Sequence, residues 1–136
     1  MIHVVSCFIT KDELILILKR SDKVRTYKGK WATVSGYIEQ NEKPYETALK
    51  EIKEEIGLEK KNIKLIKEGK LIYVNKEWIV HPYLFEANTD KIKIDWEHVE
   101  YRWIKPEEVK NYDVVPKFKD ALESVIGCKL SFEFCE

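Results

Sequence analysis

The sequence predicts an α/β fold with a mixed β-sheet held between helical layers. Two observations carry this prediction. Runs rich in β-branched and aromatic residues recur along most of the chain, and segments with helical character interrupt them. Strands mixed with helices in this order favour a sheet that helices cover. No Pro-, Gly- or Ser-rich linker, repeat or low-complexity tract divides the 136 residues, so we expect one domain over residues 1–136.

Turn and loop signals separate the β-rich runs. Lys11-Asp12 and Asn75-Lys76 suit tight turns between paired strands. Residues 21–30 and 88–98 are polar and are expected to be loops. The predicted strands are residues 2–10, 13–20, 31–38, 63–74, 78–87 and 100–104, with a weakly alternating last strand at 129–134.

Helical periodicity is clearest over residues 44–56. A proline occupies the first position of this segment, where it suits a helical turn, and Gly57 suits the residue just past the helix end. Pro106 is expected to open a short helical turn. Pro116 is expected to open a second helix, which ends near Ile126.

Composition and charge exclude several classes of protein. Apolar residues make up 44% and charged residues 35%, as in a globular chain. The 24 basic and 24 acidic residues cancel, which gives no general attraction to nucleic acid or to an anionic membrane. The longest apolar run, at 14–18, is far too short to span a bilayer. Cys7, Cys128 and Cys135 are too scattered for a disulfide framework, and no basic leader is present, so a cytoplasmic location is expected.

The helix at 44–56 carries an apolar stripe beside an acidic one. At about 100° per residue, one face collects Tyr45, Ala48, Leu49, Ile52 and Ile56, and this face is predicted to meet the core. Glu51, Glu54 and Glu55 fall on an adjoining arc. Glu55 lies closest to the apolar edge and should be the most buried of the three.

Three carboxylates on one arc repel one another, at about a few tenths of a kcal/mol per neighbouring pair. A hard divalent cation between them removes that cost, and Mg²⁺ takes oxygen ligands of this kind. A cation held in this way can lower the pKa of a bound water and polarise a phosphoryl oxygen. The alternative is an ordinary solvated acidic face on a helix rich in Lys and Glu.

The spacing around this helix favours the metal site over the solvated face. The segment resembles the Nudix box, which is Gly, five residues, Glu, seven residues, Arg-Glu-apolar-any-Glu-Glu, any, Gly, apolar. Every defined position matches except one, because lysine occupies the arginine position. The residues that carry the resemblance are Gly36, Glu42, Lys50-Glu51-Ile52-Lys53-Glu54-Glu55 and Gly57-Leu58.

The resemblance to the Nudix (MutT-like) hydrolases implies a loop–helix–loop on an α/β/α sandwich with a mixed sheet. It also implies that Glu51, Glu54 and Glu55 hold Mg²⁺ or Mn²⁺, with the Gly36 carbonyl as a further ligand. In such proteins Glu42 braces the arginine of the box. Here that position is Lys50, which keeps the charge but loses the bidentate fork, so pairing with Glu42 or with Glu54 stays open.

Many Nudix hydrolases add a glutamate from a distant loop as a metal ligand or general base. The loop before the strand at 100–104 offers Glu97 as the first choice and Glu100 as the second. The alternative is an ordinary exposed loop acid. His98 is expected to be structural, or to make a minor substrate contact.

Three residues outside the box are candidates for substrate binding. Arg20 ends the second predicted strand, where family members often place a basic residue against phosphate. Trp31 could stack on a base or could simply pack in the core. Tyr73 lies sixteen residues after Gly57, as a tyrosine does in some diadenosine-polyphosphate hydrolases, although tyrosines are common in strands.

The resemblance therefore implies a pyrophosphohydrolase that cleaves a nucleoside diphosphate linked to another moiety. Nucleoside triphosphates or dinucleoside polyphosphates are favoured as substrates over ADP-ribose. The main alternative is a non-catalytic, nucleotide-binding Nudix-like domain, which Lys50 motivates. The neutral net charge speaks against an enzyme of RNA ends, although the basic residues between Lys19 and Lys30 leave it open. The sequence leaves a homodimer undecided.

Overall fold

A computed structural model describes residues 1–127 of the chain. The strand predicted at 129–134, with Cys128 and Cys135, lies outside the described residues. The strands are β1 (Ile2–Lys11), β2 (Leu14–Arg20), β3 (Trp31–Ala32), β4 (Val34–Tyr37), β5 (Ile63–Glu68), β6 (Ile72–Val74), β7 (Trp78–Ala87) and β8 (His98–Ile104). The helices are α1 (Pro44–Ile56) and α2 (Phe118–Ile126), with 3₁₀ turns at Lys60–Asn62 and Pro106–Asn111.

These strands form a mixed sheet organised around β1. Strand β1 runs parallel to β7 from Ile2 to Thr10 and antiparallel to β4 from Val4 to Cys7. It meets β2 only at Thr10 and Lys11, beside the turn that joins them. Strand β2 also pairs with β3 and β8, and β7 also pairs with β5 and β6. The mixed α/β architecture predicted from the sequence is confirmed.

Each face of the sheet packs against one helix. Alternate residues of a strand point to opposite faces, so Val5 and Cys7 of β1 join the core beneath α1 while Phe8 joins the core beneath α2. Ile52 of α1 and Leu122 of α2 are both fully buried. Within residues 1–127, no helix is long and apolar enough to cross a membrane.

Helix α1 has the predicted limits and orientation. Pro44 begins it, and Gly57 caps it in the left-handed region at φ 72°, with its N–H donating to the Lys53 carbonyl. Ala48 and Ile52 of the predicted apolar face are fully buried. The predicted turn at Asn75-Lys76 is also confirmed, because both residues adopt positive φ between β6 and β7.

Two predicted strands are each divided in the structure. The segment 31–38 changes partner at Thr33, since β3 pairs with β2 whereas β4 pairs with β1, and the Thr33 hydroxyl donates to the Cys7 carbonyl at 2.5 Å. The segment 63–74 is interrupted between β5 and β6. There Gly69 passes close beneath α2, where an added Cβ would lie 2.9 Å from a methyl carbon of Val125.

Three predicted boundaries were wrong by one or two residues. The first turn is centred on Asp12-Glu13, both at positive φ, and not on Lys11-Asp12. Helix α2 starts at Phe118 and not at the proline, because Lys117 has a left-handed conformation at φ 68° that a right-handed helix cannot include. Strand β8 starts at His98, since its pairing with β2 extends to Arg20.

Candidate active site

The three glutamates on the acidic arc of α1 differ sharply in exposure. Glu55 is 2% exposed, as its position beside the apolar stripe predicted. Glu51 is half-buried, and Glu54 is exposed to solvent. The acidic arc therefore runs from the core to the surface along one side of the helix.

A cleft of about 560 Å³ opens beside this arc. Four of the predicted site residues line it together, and they come from four different parts of the chain: Arg20, Gly36, Glu51 and Glu97. Ser35 and Tyr37 of β4 and Phe118 of α2 also contribute to its walls. The fold thus brings the loop before β8 to the carboxylates of α1, as the sequence analysis expected.

Glu51 and Glu55 form a close carboxylate pair. Burial first, and then the charge of Glu97, raise the pKa of Glu55 well above its usual value. Burial also raises the pKa of Glu51, although its hydrogen bond with Glu55 opposes that shift. The Ser35 N–H donates to Oε1 of Glu55 at 3.5 Å, whereas Oε2 is buried without a hydrogen-bond partner among the described residues.

This pair has the donor chemistry for a hard divalent cation. Within residues 1–127, no three acidic, histidine or cysteine side chains already converge into a closed metal cage. Two adjacent carboxylates with one unsatisfied oxygen fit instead a cation that keeps several of its waters, as Mg²⁺ does. The residues present therefore fit such an ion.

Gly36 allows β4 to approach the Glu51 side chain closely. A Cβ at this position would lie 2.5 Å from Oε1 of Glu51, much closer than real Cβ atoms come. The absence of a side chain therefore keeps the carboxylate against the strand. The backbone of Gly36 lies beside the same carboxylate, which suits the carbonyl-ligand role that the resemblance implies.

Asp95 organises the loop that carries Glu97. Its Oδ1 accepts a hydrogen bond from the Glu97 N–H at 3.2 Å and contacts Nδ1 of His98 at 3.1 Å. A carboxylate can only accept, so Nδ1 of His98 carries the hydrogen. The ring of His98 is buried, and its Nε2 lies 3.9 Å from Oε1 of Glu55. This arrangement supports a structural role for His98.

Glu97 lines the same cleft as Glu51 and lies close enough for its charge to affect Glu55. Burial, followed by the nearby charge of Asp95, raises the pKa of Glu97 to about 7, and Arg20 partly opposes this shift. Arg20 is held at the cleft by the Thr26 carbonyl, which accepts from Nε at 3.0 Å. The positive guanidinium therefore lines the same cleft as the Glu51 and Glu97 carboxylates.

Lys50 pairs with Glu42, one of the two partners that the sequence left open. Its ammonium donates to Oε2 of Glu42 at 2.7 Å, and the Thr47 hydroxyl donates to Oε1 at 2.9 Å. The Glu39 N–H donates to the same Oε1 at 3.1 Å. These contacts lower the pKa of Glu42, the hydrogen bond from Lys50 first. Lysine thus maintains a brace between α1 and the loop before it.

Two predicted substrate contacts do not lie in the cleft. Trp31 is 7% exposed and packs edge-on against Tyr112 beneath α2, with the Arg102 guanidinium 5.2 Å from its ring centre. This placement favours the packing alternative and argues against a base contact. Tyr73 is 61% exposed on β6 and does not line the cleft. Glu54 and the buried Glu55 likewise do not line it.

The sequence analysis missed three residues at this site. Asp95 precedes His98 by three residues, and this spacing could have suggested their contact. Tyr37 and Trp78 lie on strands far apart in sequence, and their rings meet at the cleft with centres 5.7 Å apart. No local pattern connects those two residues.

The chain is similar to known proteins over most of its length. A family profile described as the NUDIX domain matches residues 2–125. A nucleoside triphosphatase named NudI, from Escherichia coli O81 (strain ED1a), is 30% identical over 123 residues, which cover 82% of this chain and 86% of that relative.

Solved structures show the same fold. The MutT protein from Methanosarcina mazei Go1 superposes with a TM-score of 0.72 at 26% identity and covers 90% of both chains. A C. elegans Ap4A hydrolase complex superposes with a TM-score of 0.74 at 17% identity, over 88% of this chain and 92% of that one. The second likeness concerns the fold alone.

Proposed function

Since the chain belongs to the Nudix family of hydrolases, we propose that it is a metal-dependent pyrophosphohydrolase acting on nucleoside triphosphates. The observation that carries the proposal is that Glu51 and Glu97 line one cleft and that both act electrostatically on the buried Glu55. The substrate class is supported by the NudI relative, which is named a nucleoside triphosphatase. Dinucleoside polyphosphates become the weaker candidate, because their sequence support was Tyr73, which lies outside the cleft.

We propose Glu51 and Glu55 as the principal metal ligands, assisted by the Gly36 carbonyl and by Glu54 and Glu97. Mg²⁺ or Mn²⁺ bound there would acidify a water and polarise a phosphoryl oxygen. The burial of Glu55 keeps bulk water away from one side of the pair. Bound charge in such a shielded place interacts more strongly than it would in open solvent.

Two other side chains are proposed to act on the substrate. Glu97 would take a proton from the attacking water, and its pKa of about 7 suits that role. Arg20 presents a guanidinium at the cleft, and its planar donors match phosphate oxygens. Together they would orient the water and stabilise the departing phosphate charge. A cytoplasmic location is proposed as well, on the scattered cysteines alone.

A substrate panel tests this function. Purified protein would be incubated with ATP, GTP, CTP, UTP, diadenosine polyphosphates and ADP-ribose, each with Mg²⁺ or Mn²⁺. Products would be identified by mass. We expect cleavage of nucleoside triphosphates to a nucleotide and released phosphate or pyrophosphate, abolished by EDTA. Binding of nucleotides without cleavage of any member, in folded protein, would instead establish the non-catalytic domain.

A further inference from the structure

Tyr37 and Trp78 form an aromatic pair that lies outside the two hydrophobic cores. Their ring centres are 5.7 Å apart with planes inclined by 36°. Tyr37 is 59% exposed and Trp78 is half-buried, and neither ring belongs to the core beneath α1 or beneath α2. Both line the cleft that holds Glu51. Large rings left open to water beside an active-site cleft are a typical surface for binding flat ligands.

The register of the sheet explains how these rings meet. Val4 of β1 pairs with Tyr37 on one side and with Val80 on the other, and Ile2 pairs with Trp78. Register partners lie on the same face of a sheet. Val4 and Val80 line the cleft but are absent from the core beneath α2. Val4 of β1 and Val80 of β7 therefore form an apolar floor beside the two rings.

The aromatic pair lies in the same cleft as the proposed metal ligand Glu51. Tyr37 directly follows Gly36, so its side chain points to the face of β4 opposite the Glu51 carboxylate. The ring and the carboxylate nevertheless line one continuous cleft. A ligand with an aromatic group at one end and phosphates at the other can therefore span from the rings to Glu51. Asn75, at the turn before Trp78, lines the same cleft with an amide that can both donate and accept.

We propose that Tyr37 and Trp78 form the nucleobase subsite of the cleft, with purines bound more tightly than pyrimidines. The inference rests on the proposed function, since it assigns the base of the same nucleotide. Stacking on an aromatic side chain accepts every base, because every base has a π-face. A purine covers more of the two rings and of the Val4–Val80 floor, so it buries more apolar surface.

Calorimetric titration of Tyr37→Leu and Trp78→Leu proteins tests the subsite. The probes are α,β-methylene-ATP and, as a base-free ligand, inorganic tripolyphosphate, both with Mg²⁺. Each variant should bind the methylene analogue about 5- to 150-fold more weakly than wild type does. Binding of tripolyphosphate should not change. Wild-type affinity for the analogue, or an equal loss for both probes, would overturn the proposal.

Control variants separate stacking from folding. Tyr101→Leu removes a tyrosine that is 37% exposed on β8 and lies outside the cleft, and it should bind both probes like wild type. Trp78→Phe keeps an aromatic face and should retain most of the affinity for the analogue. The corresponding cytidine analogue should bind wild type more weakly than the adenosine analogue, and Trp78→Leu should shrink this difference. Equal affinities of wild type for the two would contradict the purine preference.

These titrations are independent of catalysis. If the substrate panel shows no cleavage while the variants lose affinity for the analogue alone, the base subsite stands and the proposed reaction fails. If nucleoside triphosphates are cleaved while both leucine variants bind the analogue like wild type, the reaction stands and the subsite is wrong.

Discussion

At the scale of single residues, Glu55 combines features that oppose stability and favour function. Its side chain is buried, and one of its oxygens lacks a hydrogen bond among the described residues. A buried carboxylate without full hydrogen bonding costs free energy unless a counter-charge accompanies it. A cation bound beside Glu55 would supply that counter-charge and offset the cost of burial.

Glu55→Gln should remove most activity while leaving the fold intact. The substitution removes a proposed ligand without changing packing volume, so kcat should fall at least about 100-fold, since even outer-shell changes at metal sites cost 10- to 100-fold. In EDTA the variant should melt no lower than wild type at pH 7, because it no longer buries an ionisable group. Adding Mg²⁺ should raise the Tm of wild type only. A variant with the wild-type rate would show that the metal centre is misassigned.

Substitutions of Lys50 test whether the single departure from the Nudix box impairs catalysis. Its pairing with Glu42 keeps the brace of α1 in place, so Lys50→Arg should change kcat/KM only a few-fold. Lys50→Gln removes the charge and should lower kcat/KM by roughly 10- to 100-fold, as for other supports of metal ligands. Inactive wild type that Lys50→Arg activates would favour the degenerate, nucleotide-binding domain.

At the scale of elements, two glycines at either end of the box have opposite roles. Gly36 allows β4 to contact Glu51, whereas Gly57 ends α1 at φ 72°. Gly36→Ala should weaken Mg²⁺ binding and activity while stability changes little, because the displaced group is the flexible end of a side chain. Gly57→Ala should lower the unfolding free energy by about 1 kcal/mol, since L residues disfavour that conformation. Chemical unfolding and calorimetric Mg²⁺ titration of both variants check this contrast.

Elements that depend on local sequence were predictable, and those that depend on distant contacts were not. Helix α1 was predicted from the helical spacing of its apolar residues and from Pro44 and Gly57 at its ends. The break between β5 and β6 did not, because it depends on the close passage of Gly69 beneath α2. For the same reason the box glutamates could be placed from spacing, whereas the packing of Trp31 against Tyr112 and the cleft pair of Tyr37 with Trp78 could not.

At the scale of the whole molecule, the parallel pairing of β1 with β7 brings together two histidines outside the cleft. His3 and His81 lie on these neighbouring strands, with Nδ1 and Nε2 2.9 Å apart. Burial, and then the charge of His3, lower the pKa of His81 from its usual 6.5, and Glu68 opposes this shift. Proton uptake at this position therefore works against the folded state as a whole.

The pH dependence of the free energy of unfolding should reveal the lowered pKa of His81. Well above pH 6.5, His81 is neutral in both the folded and the unfolded protein, so it contributes no penalty. As the pH falls through 6.5, the unfolded chain takes up the proton first, and wild type loses stability relative to His81→Asn. The asparagine amide can still bond His3 but does not titrate.

Comparing the two proteins at each pH cancels the opposite trend expected from Glu55 and Glu97, whose pKa values are raised. Urea unfolding between pH 7.5 and 5.5 measures the difference, and a constant difference across that range would mean that His81 titrates alike in both states.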